Sequence, residues 1–215
     1  VRNNQKINWV PQSIGEGRFG NWIENIQDWA VSRNRYWGTP LNVWECPDCG
    51  EKLAVGSREE LAELSGDESA KTVELHRPYV DRFEIPCPHC HGKMKRVPEV
   101  VDVWFDSGAC PYAELHYPFE NKELLDSGRA FPADFIAEGV DQTRGWFFTL
   151  HAIATMVRGT NSYKAVISNG LVLDKNGNKM SKRLGNAVDP FETIEKYGSD
   201  PLRWYMISNS SPWDN

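Results

Sequence analysis

The chain has 215 residues, 40% of them hydrophobic and 12% aromatic, which is enough for a buried core and excludes global disorder. Lys and Arg number 24 against 30 Asp and Glu, a formal charge of −6, so coating nucleic acid by bulk attraction is excluded and a polyanion needs a locally basic site. The longest uncharged apolar stretch, Gly145 to Val157, has 13 residues, against the roughly 20 of a membrane span; the start at Val1, with no apolar leader, reads as a piece of a longer cytoplasmic protein.

Phe19, Trp22, Ile23, Ile26, Trp29 and Ala30 keep the i, i+3, i+4, i+7 spacing of an amphipathic helix. A segment broken by Gly38 and Pro40 follows, with Arg33 and Arg35 among aromatics. Then come two Cys-x-x-Cys pairs, Cys46 with Cys49 and Cys87 with Cys90, each trailed by glycine. A Cys-x-x-Cys turn aims two thiolates at one point, and two such turns complete a tetrahedron with Zn–S of about 2.3 Å. Four thiolates leave no open position, so the expected zinc is structural. Alternatives are four reduced thiols, two redox pairs, or His89 or His91 replacing a cysteine. The interval between the pairs holds a polar stretch, Ser57 to His76, expected to be a solvated helical excursion. Cys110 reads as a small core residue.

Val100, Val101, Val103 and Phe105 suggest a short buried strand. Asp134 to Glu138 suggests a second. Trp146, Leu150, Ile153 and Val157 then take helical spacing, with Asp141 as the expected cap, and Tyr163 to Ser168 suggests a third strand. Strand, helix, strand is a parallel crossover of an α/β sheet. Asp189, Pro190 and Glu192 are the cap, first and third positions of a helix ending at Gly198, and another starts at Ser199.

Open α/β sheets bind ligands beyond the carboxyl ends of their strands. Glu138, Gly139, Asp141 and Gln142 stand at one such end, where a helix N-terminus offers N–H groups; plain helix capping is the alternative. Downstream, Lys175, Lys179, Lys182 and Arg183 crowd into nine residues of a glycine-flanked loop, which suits a mobile polyanion clamp or, more blandly, a solvated surface.

Lys179-Met180-Ser181-Lys182-Arg183, followed by Leu184-Gly185-Asn186, resembles the KMSKS signature of class I aminoacyl-tRNA synthetases. The strings beginning at Asp28, Asp102, Glu138 and Gly198 resemble the isoleucine branch of that family, in its order, with the valine branch as runner-up; a non-catalytic zinc-ribbon module that binds tRNA or protein is the other alternative. The resemblance implies the second half of a Rossmann-like catalytic domain at 1–45 and 97–188, a zinc-ribbon insertion at 46–96, and the start of a helical stem-contact region at 189–215. It implies isoleucine, ATP with Mg2+, and tRNA(Ile) as substrates and partners of a monomeric cytoplasmic enzyme. It assigns Lys182 and Lys179 to the ATP phosphates, with Ser181 and Gly177 shaping the loop. Glu138, Gly139, Asp141 and Gln142 fall to the adenylate's ribose and the ammonium, Trp104 and Trp146 to the side-chain pocket, and Cys46, Cys49, Cys87 and Cys90 to zinc. Three departures stand out: no His-x-Gly-His occurs, Arg183 replaces the motif's usual final Ser, and Asn169 stands where many relatives carry His.

Overall fold

A computed structural model describes residues 1–214. In chain order its elements are β1 (Asn8–Val10), α1 (Gly20–Glu24), β2 (Ser32–Arg33), β3 (Val43–Glu45), β4 (Lys52–Ala54), α2 (Arg58–Ser65), β5 (Ile85–Pro86), β6 (Lys93–Arg96), β7 (Val100–Val101), α3 (Val103–Gly108), α4 (Cys110–Ala113), α5 (Lys122–Asp126), β8 (Ala133–Gly139), α6 (Trp146–Arg158), β9 (Tyr163–Asn169), α7 (Pro190–Tyr197) and α8 (Ser199–Ser208). They form two compact units. One joins Val1–Gln27 to the chain from Gly108 onward, and the other is Asp28–Ser107.

The first unit is α/β. Its sheet has the order β1-β9-β8 with both pairings parallel, and α6 is the crossover from β8 to β9. Val166, at the middle of the central strand, stands opposite Trp9 on one side and Ile136 on the other. Phe19, Phe147, Leu150 and Tyr163 complete the core. Aromatic edges interlock there: the Trp9 ring lies 4.8 Å from Phe19 and 5.9 Å, edge on, from Phe147. The buried Tyr163 hydroxyl donates to Phe147 O at 3.0 Å, and burial pushes its ionisation well up.

The predicted helix from Phe19 to Ala30 is shorter than its periodicity. A π turn at Ile14–Phe19 runs into α1, which stops at Glu24. Asn25 then bonds back to Asn21 O at 2.8 Å, and from Asp28 the chain belongs to the other unit, where the Trp29 indole donates to Asp102 at 2.9 Å. The apolar spacing therefore spans a unit boundary. Cys110 also departs from expectation: it is exposed at the start of α4 rather than in the core.

The second unit is an antiparallel ribbon with the order β4-β3-β6-β5, in which Trp44 faces Leu53 and Arg96. Its core gathers Trp44, Leu61, Phe83, Ile85 and Met94, and the Trp44 indole donates to Phe83 O at 2.8 Å. Here the stretch from Ser57 to His76 is more than a solvated excursion. Ser57 caps α2 through the Glu60 N–H at 3.0 Å, and Leu61, Ala62, Ala70 and Val73 are buried in the unit's core. A wet outer face hid that apolar one. The Arg96 guanidinium, buried beside Asp81 at 2.6 Å, also donates to Leu41 O and Glu99 O, which ties the ribbon's ends together.

The strand expected over Val100–Phe105 is cut to Val100–Val101. Buried Asp102 accepts from the Trp104 N–H at 3.3 Å, and its carbonyl from the Phe105 N–H at 2.7 Å. Asp102 thus starts α3 where alternation alone would extend the strand.

Candidate functional site

Three groups of expected site residues lie at definable places. At the carboxyl end of β8, Glu138 pairs in register with Ser168 and Gly139 with Asn169 on β9, so both strands finish together. A 3-10 turn, Val140–Arg144, then leads into α6. Glu138 and Asp141 are exposed carboxylates. A Cβ added to Gly139 would sit 2.6 Å from Asp141 Oδ1, so the carboxylate folds back over the bare glycine and a larger residue there would have to displace it. The expected capping role belongs to the neighbour: Gln142 Oε1 accepts the Trp146 N–H at 2.8 Å, and Gln142 Nε2 donates to Asp141 at 3.1 Å. The bond Asp141 accepts is from the Gln142 side chain, not from a backbone N–H at the start of α6. Sequence could not separate the two because they are adjacent and chemically alike. Beneath the turn, Arg18 donates to Thr143 Oγ1 at 2.8 Å, and Arg144 donates to Arg18 O at 2.8 Å while lying 4.3 Å over the Trp22 ring. Desolvation, followed by Arg18, lowers the Arg144 pKa from its ordinary value.

Trp146 opens α6 half-buried against the first unit's core. Trp104 belongs to the second unit, on α3, and is 41% exposed. Glu138, Gly139, Asp141, Gln142 and Trp146 therefore cluster in one unit, whereas Trp104 stands in the other.

The cationic loop leaves the carboxyl end of β9, the central strand. Lys175, Lys179, Lys182 and Arg183 are all exposed, and among the described residues none has an acidic partner within ion-pair distance. Gly177, at φ +78°, turns the chain between Asp174 and Asn178, and Leu173 bridges back to Lys179. Sequence reading gave no role to Asp174 or Asn186. Asp174 accepts N–H groups of Asn176 and Asn178 at 2.9 and 2.8 Å, and Asn186 links Asp174 to Ser181. An Asp two residues before an Asn-Gly pair is a turn signal that points to part of this arrangement.

In the second unit the four cysteines converge, each offering a sulfur within 4.8 Å of the others. A tetrahedron with Zn–S of about 2.3 Å has S–S edges of about 3.8 Å, and Cys46–Cys90 at 3.5 Å and Cys49–Cys87 at 3.6 Å match it. Two knuckles of the same design present them. The Gly50 N–H bonds to Cys46 O and the His91 N–H to Cys87 O, both at 2.9 Å, with left-handed φ of +75° and +63°. His91 thus occupies the turn position that Gly50 fills in the other knuckle. Among the described residues the ligand group contains cysteines only, neither His89 nor His91. The Cys90 backbone N–H is foremost in drawing the Cys87 thiol down to about 7, while Cys49, although the Glu51 N–H favours its thiolate, is pushed up to about 12 by desolvation and the other three sulfurs. Four thiolates so close need a cation between them, and the donor set fits a soft or borderline divalent metal.

The family model described as tRNA synthetases class I (I, L, M and V) matches residues 1–215. The isoleucine–tRNA ligase of Porphyromonas gingivalis is 60% identical over 100% of this chain and 21% of its own length, and that of Bacteroides fragilis is 62% identical over 99% and 21%. The chain spans about a fifth of these relatives. Among solved structures, the LeuRS of Agrobacterium radiobacter K84, in ternary complex with tRNA and LeuAMS, superposes with a TM-score of 0.59 at 25% identity, over 88% of this chain and 25% of that one.

Proposed function

The chain belongs to the class I tRNA synthetases of the I, L, M and V type, and from that premise we propose that it is the second half of the catalytic domain of an isoleucine–tRNA ligase. The ligase is a cytoplasmic monomer, and no described helix is long and apolar enough to cross a membrane. One observation carries the reading. An exposed cationic loop without acidic partners departs from the same sheet end at which Glu138 and Asp141 present exposed carboxylates.

In the reaction, a carboxylate oxygen of isoleucine attacks the α-phosphorus of ATP, accompanied by Mg2+. The bond to the β-phosphate oxygen breaks, and pyrophosphate leaves with the electron pair. A tRNA(Ile) 3′-terminal hydroxyl then takes the acyl group, and AMP leaves. Negative charge gathers on the departing pyrophosphate, so cations fixed beforehand lower the barrier most. Lys182 supplies the main contact and Lys179 assists, with Ser181 and Gly177 giving the loop its shape. Glu138 and Asp141 suit an ammonium and a pair of ribose hydroxyls, Gly139 lets the ligand approach the main chain, and Gln142 holds the turn. Trp146 is the apolar wall that the first unit offers the side chain. An indole wall rejects valine poorly, because only one methylene distinguishes the substrates, so editing lies elsewhere. Cys46, Cys49, Cys87 and Cys90 hold a structural zinc, which supplies folding energy and no chemistry. The His-x-Gly-His half of the nucleotide site is outside this chain, so the segment alone is inactive in ATP–pyrophosphate exchange.

In the complete ligase, Lys182→Ala is expected to slow single-turnover adenylate formation by about 10²–10³-fold, the range for one lost transition-state donor. A loss under about tenfold overturns the assignment.

A further inference from the structure

The cations of the loop are exposed, but the side chains that shape it are half-buried. Asn186 uses its amide in both senses. Its Nδ2 donates to Asp174 Oδ2 at 2.9 Å and to Lys179 O at 3.3 Å, while its Oδ1 accepts the Ser181 N–H at 2.8 Å. Asp174 Oδ1 holds the N–H groups of Asn176 and Asn178. Four residues between 174 and 186, namely Asn176, Asn178, Lys179 and Ser181, are therefore tied to two side chains that also bond each other, and Gly177 and Gly185, both at positive φ, let the chain reverse within the segment.

We propose that Asp174 and Asn186 form a latch that sets the loop's shape before a nucleotide arrives, which makes them positioning residues for Lys179 and Lys182. The proposal rests on the reading of this loop as the phosphate clamp. Only a short side chain with both a donor and an acceptor can make the Asn186 links: Asp lacks the donor, and Ser is too short to reach both ends. Asp174 stands just ahead of the four cations in the chain but forms an ion pair with none of them. Its acceptors are filled by amide N–H groups, so it braces the loop without neutralising the lysines. The Asn186 amide, followed by the Asn178 N–H, holds its carboxyl below the ordinary range, so the brace stays ionised at neutral pH. A preset loop removes ordering from the chemical step, and that gain appears in the rate rather than in ground-state binding.

The test uses the complete ligase carrying this segment. Asn186→Ala is expected to slow single-turnover adenylate formation by about 10–30-fold while the Kd for ATP moves less than about threefold. In a Lys182→Ala background the same change should cost less than about threefold, because the latch acts mainly through that lysine and only Lys179 is left to position. Trypsin should cut faster at Lys175, Lys179, Lys182 and Arg183, with Tm unchanged. Equal losses in both backgrounds, or unaltered cleavage, overturn the latch. If Lys182→Ala is itself nearly silent, the clamp reading fails instead, so the two failures are distinct. Asp174→Asn, which keeps the side chain's size but turns an amide toward the donors, serves the same measurements where Asn186→Ala does not fold.

Discussion

The cysteine cluster and the cationic loop both crowd groups of like charge, and they are settled in opposite ways. In the cluster, four sulfurs are held on a ribbon packed around Trp44 and Met94, and the charge is meant to be answered inside the fold. In the loop, four cations stand in solvent without acidic partners, held by backbone bonds to two half-buried polar side chains. In the proposed reading, one region uses its electrostatics for folding and the other keeps them for a ligand.

The comparison breaks first at the metal. Chelation should unfold the ribbon, because a structural zinc site supplies on the order of 10 kcal/mol or more of folding free energy. Hydrogen exchange at β3 and β6 should rise to the unfolded rate while β8 and β9 stay protected, and mass spectrometry counts the lost ion. Unchanged exchange in the metal-free protein would remove the contrast. Next in size, Trp44→Ala should cost about 3–5 kcal/mol in denaturant unfolding of that ribbon, the usual cost of emptying a buried aromatic site, without altering the loop's response to trypsin. The smallest expected effect sharpens the view of the other unit. Burial holds the His151 imidazole neutral and draws its pKa from 6.5 down to about 4. That stability is present in full above pH 6.5 and is lost as pH falls toward 4, on the order of 3 kcal/mol in all. A stability–pH curve that His151→Phe leaves equally steep would contradict it.

Sequence reading reached furthest where chemistry is local. Each Cys-x-x-Cys knuckle is a single turn, so its geometry follows from its spacing, and Asp189 does cap α7 through the N–H groups of Phe191 and Glu192. The parallel crossover was legible because β8, α6 and β9 are each long enough to show a period. What failed depends on distant partners. β1, at three residues, exists through its pairing with β9 and carries no pattern of its own. The α1 periodicity continued past a unit boundary that nothing in the spacing marks. Asp102 read as part of an alternating strand until Arg33, 2.5 Å away, and Trp29 drew it inward. The tail of the candidate site behaves likewise: the cations were visible as a run, but the amide that organises them lies three residues beyond Arg183 and looks like any loop asparagine.

β9 is a common ruler for two sets of groups that, in the proposed ligase, act on one small molecule. Glu138 is measured against Ser168 by its register, and the chain that bears the lysines begins where the same strand ends. A tilt or breathing motion of that strand displaces both sets in the same direction, so their separation is steadier than either position. A graft of this chemistry onto another scaffold therefore has to carry the strand along with the loop.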